Sequence, residues 1–453
     1  MLPGPDTMSA SPLTTEQALA LAPDTSVASA GQKLATERSW QGLGRDGRAA
    51  WGECKGSALY QVRVDLSDLA TKCTCPSRKF PCKHAVGLLL LVSAERLPSG
   101  TPPEWVAEWL GKRSTTAERK AKREAVGPEG AAPADPEAKA KRTTERHTRV
   151  QRGLEGLSLW LEDLVRNGLA GLEAETALWN TQAARLVDAQ APGLASQVRQ
   201  LAALPGSGPD WPRRMLDRLG RLALVTEAWK KLDELPPLLA ADLRSLVGIS
   251  LREEDVLAQG ERVTDTWVTV GQELEDTERV RTQRTYLLGA TSGRTALVLQ
   301  FAAGPGARFA ESFLPGTAFP AELVYWPSAA PQRALVHERK GEVRPHAEPL
   351  PSVTLEGLCQ LFADELARNP FRERTAAMLG AVVPVVPVVD GGRRWWLRDA
   401  TGAAIRLGAC DRWRLLALSG GRPIDLFGEW DGDELRPLSA RVEGRLHPLG
   451  GPS

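Results

Sequence analysis

The sequence is short of most residues that announce a function. Its 453 residues include only six cysteines, five histidines, three tyrosines and four methionines. The cysteines do not form a disulfide framework. Three crowd into one short stretch, while Cys54, Cys359 and Cys410 lie far apart, a usage that suits a reducing compartment. Cys359 and Cys410 are expected to be small buried apolar residues. Excess charge is also missing. With 57 basic and 56 acidic side chains the net charge is +1, so any contact with nucleic acid or membrane has to come from a local patch. No run approaches the ~20 apolar residues of a membrane helix. Residues 18–30 end in small residues like a signal-peptide cleavage site, but nothing basic precedes them, and Pro23 and Asp24 interrupt the apolar run. The expected location is the cytoplasm.

Signatures of catalysis are absent too. Gly304-Pro305-Gly306 lacks the strand–helix context of a phosphate loop and reads as a turn, and nothing resembles a nucleophile elbow. His147, His337, His346 and His447 are dispersed. The chain is therefore expected not to be an enzyme.

What is present is concentrated in Cys73-Thr-Cys75-Pro-Ser-Arg-Lys-Phe-Pro-Cys82-Lys-His84. Zinc favours tetrahedral coordination by thiolates and neutral imidazole, and three cysteines with one histidine fill all four positions. In an extended segment residues two apart point to one side, so the Cys73 and Cys75 sulfurs converge. Pro76 and Pro81 bracket a turn that returns Cys82 and His84 to them. The apolar run after His84 suits a helix, with Leu88 and Leu91 on the face of His84. A closed shell leaves no position for a reactive water, and no H-x-E or H-E-x-x-H arrangement sets a carboxylate beside one. The metal is expected to fold the module.

The pattern C-x-C-x6-C-x-H, with C-P-S from Cys75, F-P-C up to Cys82 and K-H-A from Lys83, resembles the SWIM-type zinc finger. The resemblance covers roughly residues 50–95. It implies a ββα module with Zn2+ held by Cys73, Cys75, Cys82 and His84. It also implies binding to DNA or to protein, and, in larger bacterial proteins of this look, company with MoxR-type AAA+ ATPases and von Willebrand factor A-type proteins. Lys72, Arg78, Lys79 and Lys83 surround the site. They either offset the thiolate charge or form an anion-binding surface whose few phosphate contacts would be salt-sensitive and blind to sequence.

Around this motif the chain divides by composition. Residues 1–37 form a tail and a short helix that Thr14 or Thr15 caps, and 38–111 the zinc module. Within it Trp40–Trp51 reads as turn-rich, 59–66 and 72–75 as strands, and Trp105 and Trp109 as one face of a brief helix docking onto the neighbouring domain. Residues 112–149, rich in Lys, Arg, Glu and Ala, read as a basic flexible linker, partly helical, either a tether or a phosphate-contacting arm. Residues 150–260 carry helical periodicity. Residues 261–453 read as antiparallel and β-rich, one region or two divided near 350–380, with a helix from Thr354 to about Asn369 and a strand at Trp413–Leu418. The expected class is thus α+β and multidomain: a small ββα zinc module, a central helical bundle and a C-terminal β-rich region. Tryptophan, with 14 residues, is the one abundant aromatic. Arg393-Arg394-Trp395-Trp396-Leu-Arg398 has the look of a stacking platform for single strands, although adjacent strand residues face opposite sides. A protein-interaction scaffold and a nucleic-acid binder both remain open.

Overall fold

Two caps start the chain. Thr14 caps α1 (Thr15–Ala20) through a capping box with Gln17, and Asp24 caps α2 (Thr25–Leu34) by accepting from the Val27 N–H. The stretch that mimics a cleavage signal is therefore the end of one helix and much of the next, with Ala18 and Val27 buried. The computed structural model describes residues 13–77, 79–113, 136–169, 176–208, 210–276, 280–303, 309, 311–386, 388–389, 392–393 and 395–449. The expected tail at 1–12, Arg78, residues 114–135 of the expected linker, Gly304-Pro305-Gly306 and Arg394 lie outside them.

A four-stranded antiparallel meander follows: β1 (Trp40–Arg45), β2 (Ala49–Lys55), β3 (Leu59–Asp65) and β4 (Ala70–Cys73). The turn-rich expectation for Trp40–Trp51 is corrected, because two strands run there. Their glycines have a packing role. A Cβ on Gly44 would lie 2.7 Å from the Trp51 ring, so glycine admits the indole. Both sheet faces are covered. Ala50, Cys54, Val62 and Val64 pack on α3 (Lys83–Ser93), which is buried from His84 to Val92. Ala49 and Trp51 pack on Val106, Trp109 and Leu110 of α4, helical over 104–113. Trp105 and Trp109 thus dock on the module's own sheet rather than on the neighbouring domain as expected, with the Arg63 guanidinium 5.0 Å and 5.8 Å from their rings.

The helical region comprises α5 (Pro136–Asn167), α6 (Thr176–Asp188), α7 (Pro192–Leu201), α8 (Trp211–Lys230), α9 (Pro237–Val247) and α10 (Glu253–Gln259). Residues 136–149, the helical part of the expected linker, form the first turns of α5. Their Ala, Lys, Arg and Glu are good helix formers, and Pro136 suits a first-turn position. Leu154, Leu157, Leu161, Trp179, Leu219 and Trp229 are among the buried residues of the bundle core.

The C-terminal half holds two barrels of the same strand order. The first uses β5 (Arg262–Asp276), β6 (Val280–Gly289), β7 (Thr295–Ala303), β8 (Thr317–Tyr325), β9 (Ala334–Arg339) and β10 (Arg344–Pro345). Strand β5 pairs with β8 through its first half and β6 through its second, bending at a bulge by Gly271. A parallel bridge from Leu297 to Arg333 brings the β7 and β9 sides together.

Helix α11 (Leu355–Arg368) leads to the second barrel. Its elements are β11 (Thr375–Val385), β12 (Val388–Val389), β13 (Gly392–Arg393), β14 (Trp396–Arg398), β15 (Ala404–Leu407), α12 (Arg412–Ser419), β16 (Ile424–Trp430), β17 (Glu434–Val442) and β18 (Arg445–Pro448). Strand β11 pairs β16, then β14, around a bulge by Gly380, and β15 pairs β17 in parallel. With the separate β12–β13 hairpin set aside, both units join first strand to second, second to third, third to fifth, fifth to fourth and fourth to first, the order of an OB barrel. The purely antiparallel expectation is corrected at these two closures. Trp413–Leu418, expected as a strand, lies in α12. Asp411 accepts from the Arg414 N–H at its start and Gly420 ends it in the left-handed region, so the caps decide what a short apolar run leaves ambiguous.

Candidate metal centre

Strand β4 delivers Cys73 on its α3-facing side. Thr74 prolongs the pairing, its N–H donating to the Gln61 carbonyl at 3.1 Å. The chain turns at Cys75, whose N–H points at the Cys73 sulfur at 3.5 Å. Cys82 is the N-cap of α3 and His84 lies in its first turn. The four ligand atoms lie within 4.8 Å of one another. His84 Nδ1 is 3.8 Å from the Cys73 sulfur and 3.9 Å from that of Cys82. A zinc tetrahedron with Zn–S of about 2.3 Å has S···S edges of about 3.8 Å, so the donor set fits the ion. Cys82 and His84 are buried and the other two half-buried. Tyr60 closes one side, its ring 5.0 Å from that of His84.

The electrostatics favour thiolate at Cys82. A hydrogen bond from the Cys73 thiol draws the Cys82 thiol down to about 3 despite burial, and His84 and the Ala85 N–H at the helix N-terminus act the same way. That shared proton and burial push Cys73 up, and burial pushes Cys75 up. Cys54 lies outside this group, in the core beneath it, its thiol pushed up to about 11 by burial. Cys410 is half-buried, whereas Cys359 is exposed on α11 rather than buried as expected, because it falls on the helix's solvent side.

The candidate anion-binding residues do not share one surface. Lys72 pairs across the sheet with Arg63, on the face away from the Cys73 sulfur. Lys79 is tied to Asp24 at 2.7 Å. Lys83 is exposed at the start of α3, and Arg78 lies outside the described residues. Lys79 and Lys83, with Tyr60, Ser26, Cys75 and His84, line a groove of about 390 Å³ beside the metal ligands. Asp24 and Tyr60 escaped the sequence reading. Asp24 ahead of Thr-Ser-Val-Ala was a helix-cap signal, whereas nothing local marked Tyr60.

Three cysteines and one histidine converging on a strand–helix knuckle form the donor set of a zinc finger. The finger is of SWIM type: the SWIM zinc finger model matches residues 60–93, and the model of the SWIM-associated four-helix bundle domain matches residues 145–247. No curated protein and no solved structure matches the chain. Bound zinc would hold Cys73, Cys75, Cys82 and His84 together and fix the turn between β4 and α3. Among the described residues no helix is long and apolar enough to cross a membrane.

Proposed function

We propose that the chain is a cytoplasmic zinc-dependent adaptor that binds a protein partner through the face of its finger and acts without catalysis. The observation that carries this reading is the closed ligand shell bordered by the 390 Å³ groove. A full shell has no site for a substrate or water, so the ion's contribution is to shape the adjoining surface. Tyr60 and Val27 give that surface apolar area, and Asp24 offsets Lys79, one of the two lysines that line it, which suits a protein more than a phosphate backbone. By family analogy the partner is a MoxR-type AAA+ ATPase or a von Willebrand factor A-type protein. The second reading, DNA or RNA binding, rests on exposed Lys72 and Lys83.

Pull-down from nuclease-treated lysate with wild type and Cys82→Ser tests the choice. The adaptor reading expects an ATPase or von Willebrand factor A-type protein on wild type alone. Recovery of nucleic acid, with all else lost on nuclease treatment and binding that weakens steeply with salt and in Lys83→Ala, would favour the second reading. Equal capture by both variants would remove the finger from either role.

A further inference from the structure

A cavity of about 260 Å³ lies where α9 and the residues after it meet the first barrel, away from the metal site. Its walls carry three arginines, Arg244, Arg333 and Arg372, against one carboxylate, Asp242. Arg372 is fully engaged, donating to Glu365 at 2.9 Å, Gln332 at 3.1 Å and the Ala330 carbonyl at 2.9 Å. Asp242 accepts from the Ala329 N–H at 2.8 Å. Burial raises its carboxyl, so it opposes an incoming anion less than a solvated aspartate would.

The other two arginines differ from these. Neither Arg244 nor Arg333 forms an ion pair of 4.0 Å or less among the described residues. The Arg333 guanidinium lies 3.9 Å from the Trp326 ring centroid, and its Nε is buried without a hydrogen-bond partner. Burial lowers its pKa, offset in part by the field of Glu253. A half-buried cation with no carboxylate at ion-pair distance is unfavourable unless something else completes it. Stacking on Trp326 covers one face of the guanidinium and fixes its plane, so its N–H edge is ready-made for a planar or tetrahedral anion. Ile249 and Leu299 supply apolar wall beside it. A concave, largely apolar site with a few converging polar groups is the usual form of a small-ligand pocket.

We propose that this cavity binds a small organic anion, its phosphate or carboxylate head on Arg333 and Arg244 and its body against Ile249 and Leu299. Such a ligand touches both the helical bundle and the first barrel, and so tightens their junction. It is independent of the zinc finger and of the partner assigned to it.

Isothermal titration calorimetry and thermal unfolding of the zinc-loaded full chain, in low-salt buffer free of phosphate, test this with inorganic phosphate, AMP and octanoate in turn. At least one is expected to bind in the millimolar range or tighter and to raise the Tm. Arg333→Gln should weaken it about tenfold or more, the loss of a charge-assisted contact. Binding of phosphate and AMP but not octanoate identifies a phosphate head, and the reverse a carboxylate. If Arg333→Gln itself lowers the ligand-free Tm, Arg244→Gln on the opposite wall carries the comparison. Failure of all three probes to bind wild type, or undiminished binding by the variants, overturns the proposal.

Discussion

Glu429 is 3% exposed, yet three guanidiniums and a phenol converge on it. Arg284 and Arg374 each stand 3.3 Å away, Arg436 bridges it to Glu273, and the Tyr286 hydroxyl donates to it. Arg284 and Tyr286 belong to the first barrel and Glu429 and Arg436 to the second, so this carboxylate is a rivet between them. Burial alone would raise its carboxyl, but Tyr286 and the arginines outweigh burial and hold it below the ordinary glutamate range. A carboxyl so depressed binds fewer protons folded than unfolded. Its stabilisation is full above roughly pH 4.3 and is lost as pH falls through the folded value. Glu429→Gln should therefore lower stability by about 3–5 kcal/mol near neutrality, since the arginines lose their counter-charge. Urea unfolding should show that gap shrinking below pH 4, where the wild-type carboxyl takes up a proton. A gap of unchanged size at pH 3 would contradict the assignment.

Between elements, one close approach in the bundle is made at a glycine. A Cβ on Gly193, in the first turn of α7, would lie 2.1 Å from the Leu246 carbonyl oxygen and 3.0 Å from the Val247 carbonyl carbon near the end of α9. Gly193→Ala should force the helices apart and lower stability by about 1–3 kcal/mol. Gly220→Ala on the exposed side of α8, where an added Cβ meets nothing within 4 Å, should instead stabilise by roughly 0.4–1 kcal/mol. Denaturant midpoints of the two variants are expected to move in opposite directions; a shared direction would contradict the packing argument.

These contacts also mark how far the sequence could be read. The zinc ligands were legible because all four sit within twelve residues, and the helices because their apolar periodicity is local. Strands β1 and β2 were hidden because glycines that make room for Trp51 look like turn residues. Helix α12 was hidden because Trp413-Arg-Leu-Leu-Ala-Leu fits either period and only Asp411 and Gly420 resolve it. Barrel closure joins Leu297 to Arg333 and Leu407 to Leu435, pairings that carry no local signature. The Arg333 cavity, assembled from two regions distant in sequence, could not be read at all.

Across the whole molecule, the zinc finger and the first barrel share one core. Val62, Leu88 and Leu91 belong to the same buried cluster as Trp267, Phe319 and Leu323. Zinc contributes about 10–16 kcal/mol in isolated fingers, and here its loss should be felt beyond residues 60–93. Hydrogen exchange after chelation is expected to show reduced protection in β5 and β8 as well as in β3 and α3, with the second barrel less affected. Reduced protection restricted to the finger would show that the shared cluster does not couple them.

That shared core has a consequence in time. The chain completes α3 at Ser93 and reaches the first barrel strand of the shared core at Val263, with the helical bundle encoded between. At ribosomal speeds of roughly 5–20 residues per second, about 170 residues take on the order of 10–30 s to synthesise. For that interval the nascent finger presents its apolar face with no barrel to cover it. Zinc capture during the wait is then a protection as well as a fold, since an unmetallated finger would meet chaperones and other nascent chains before it meets its own β-strands.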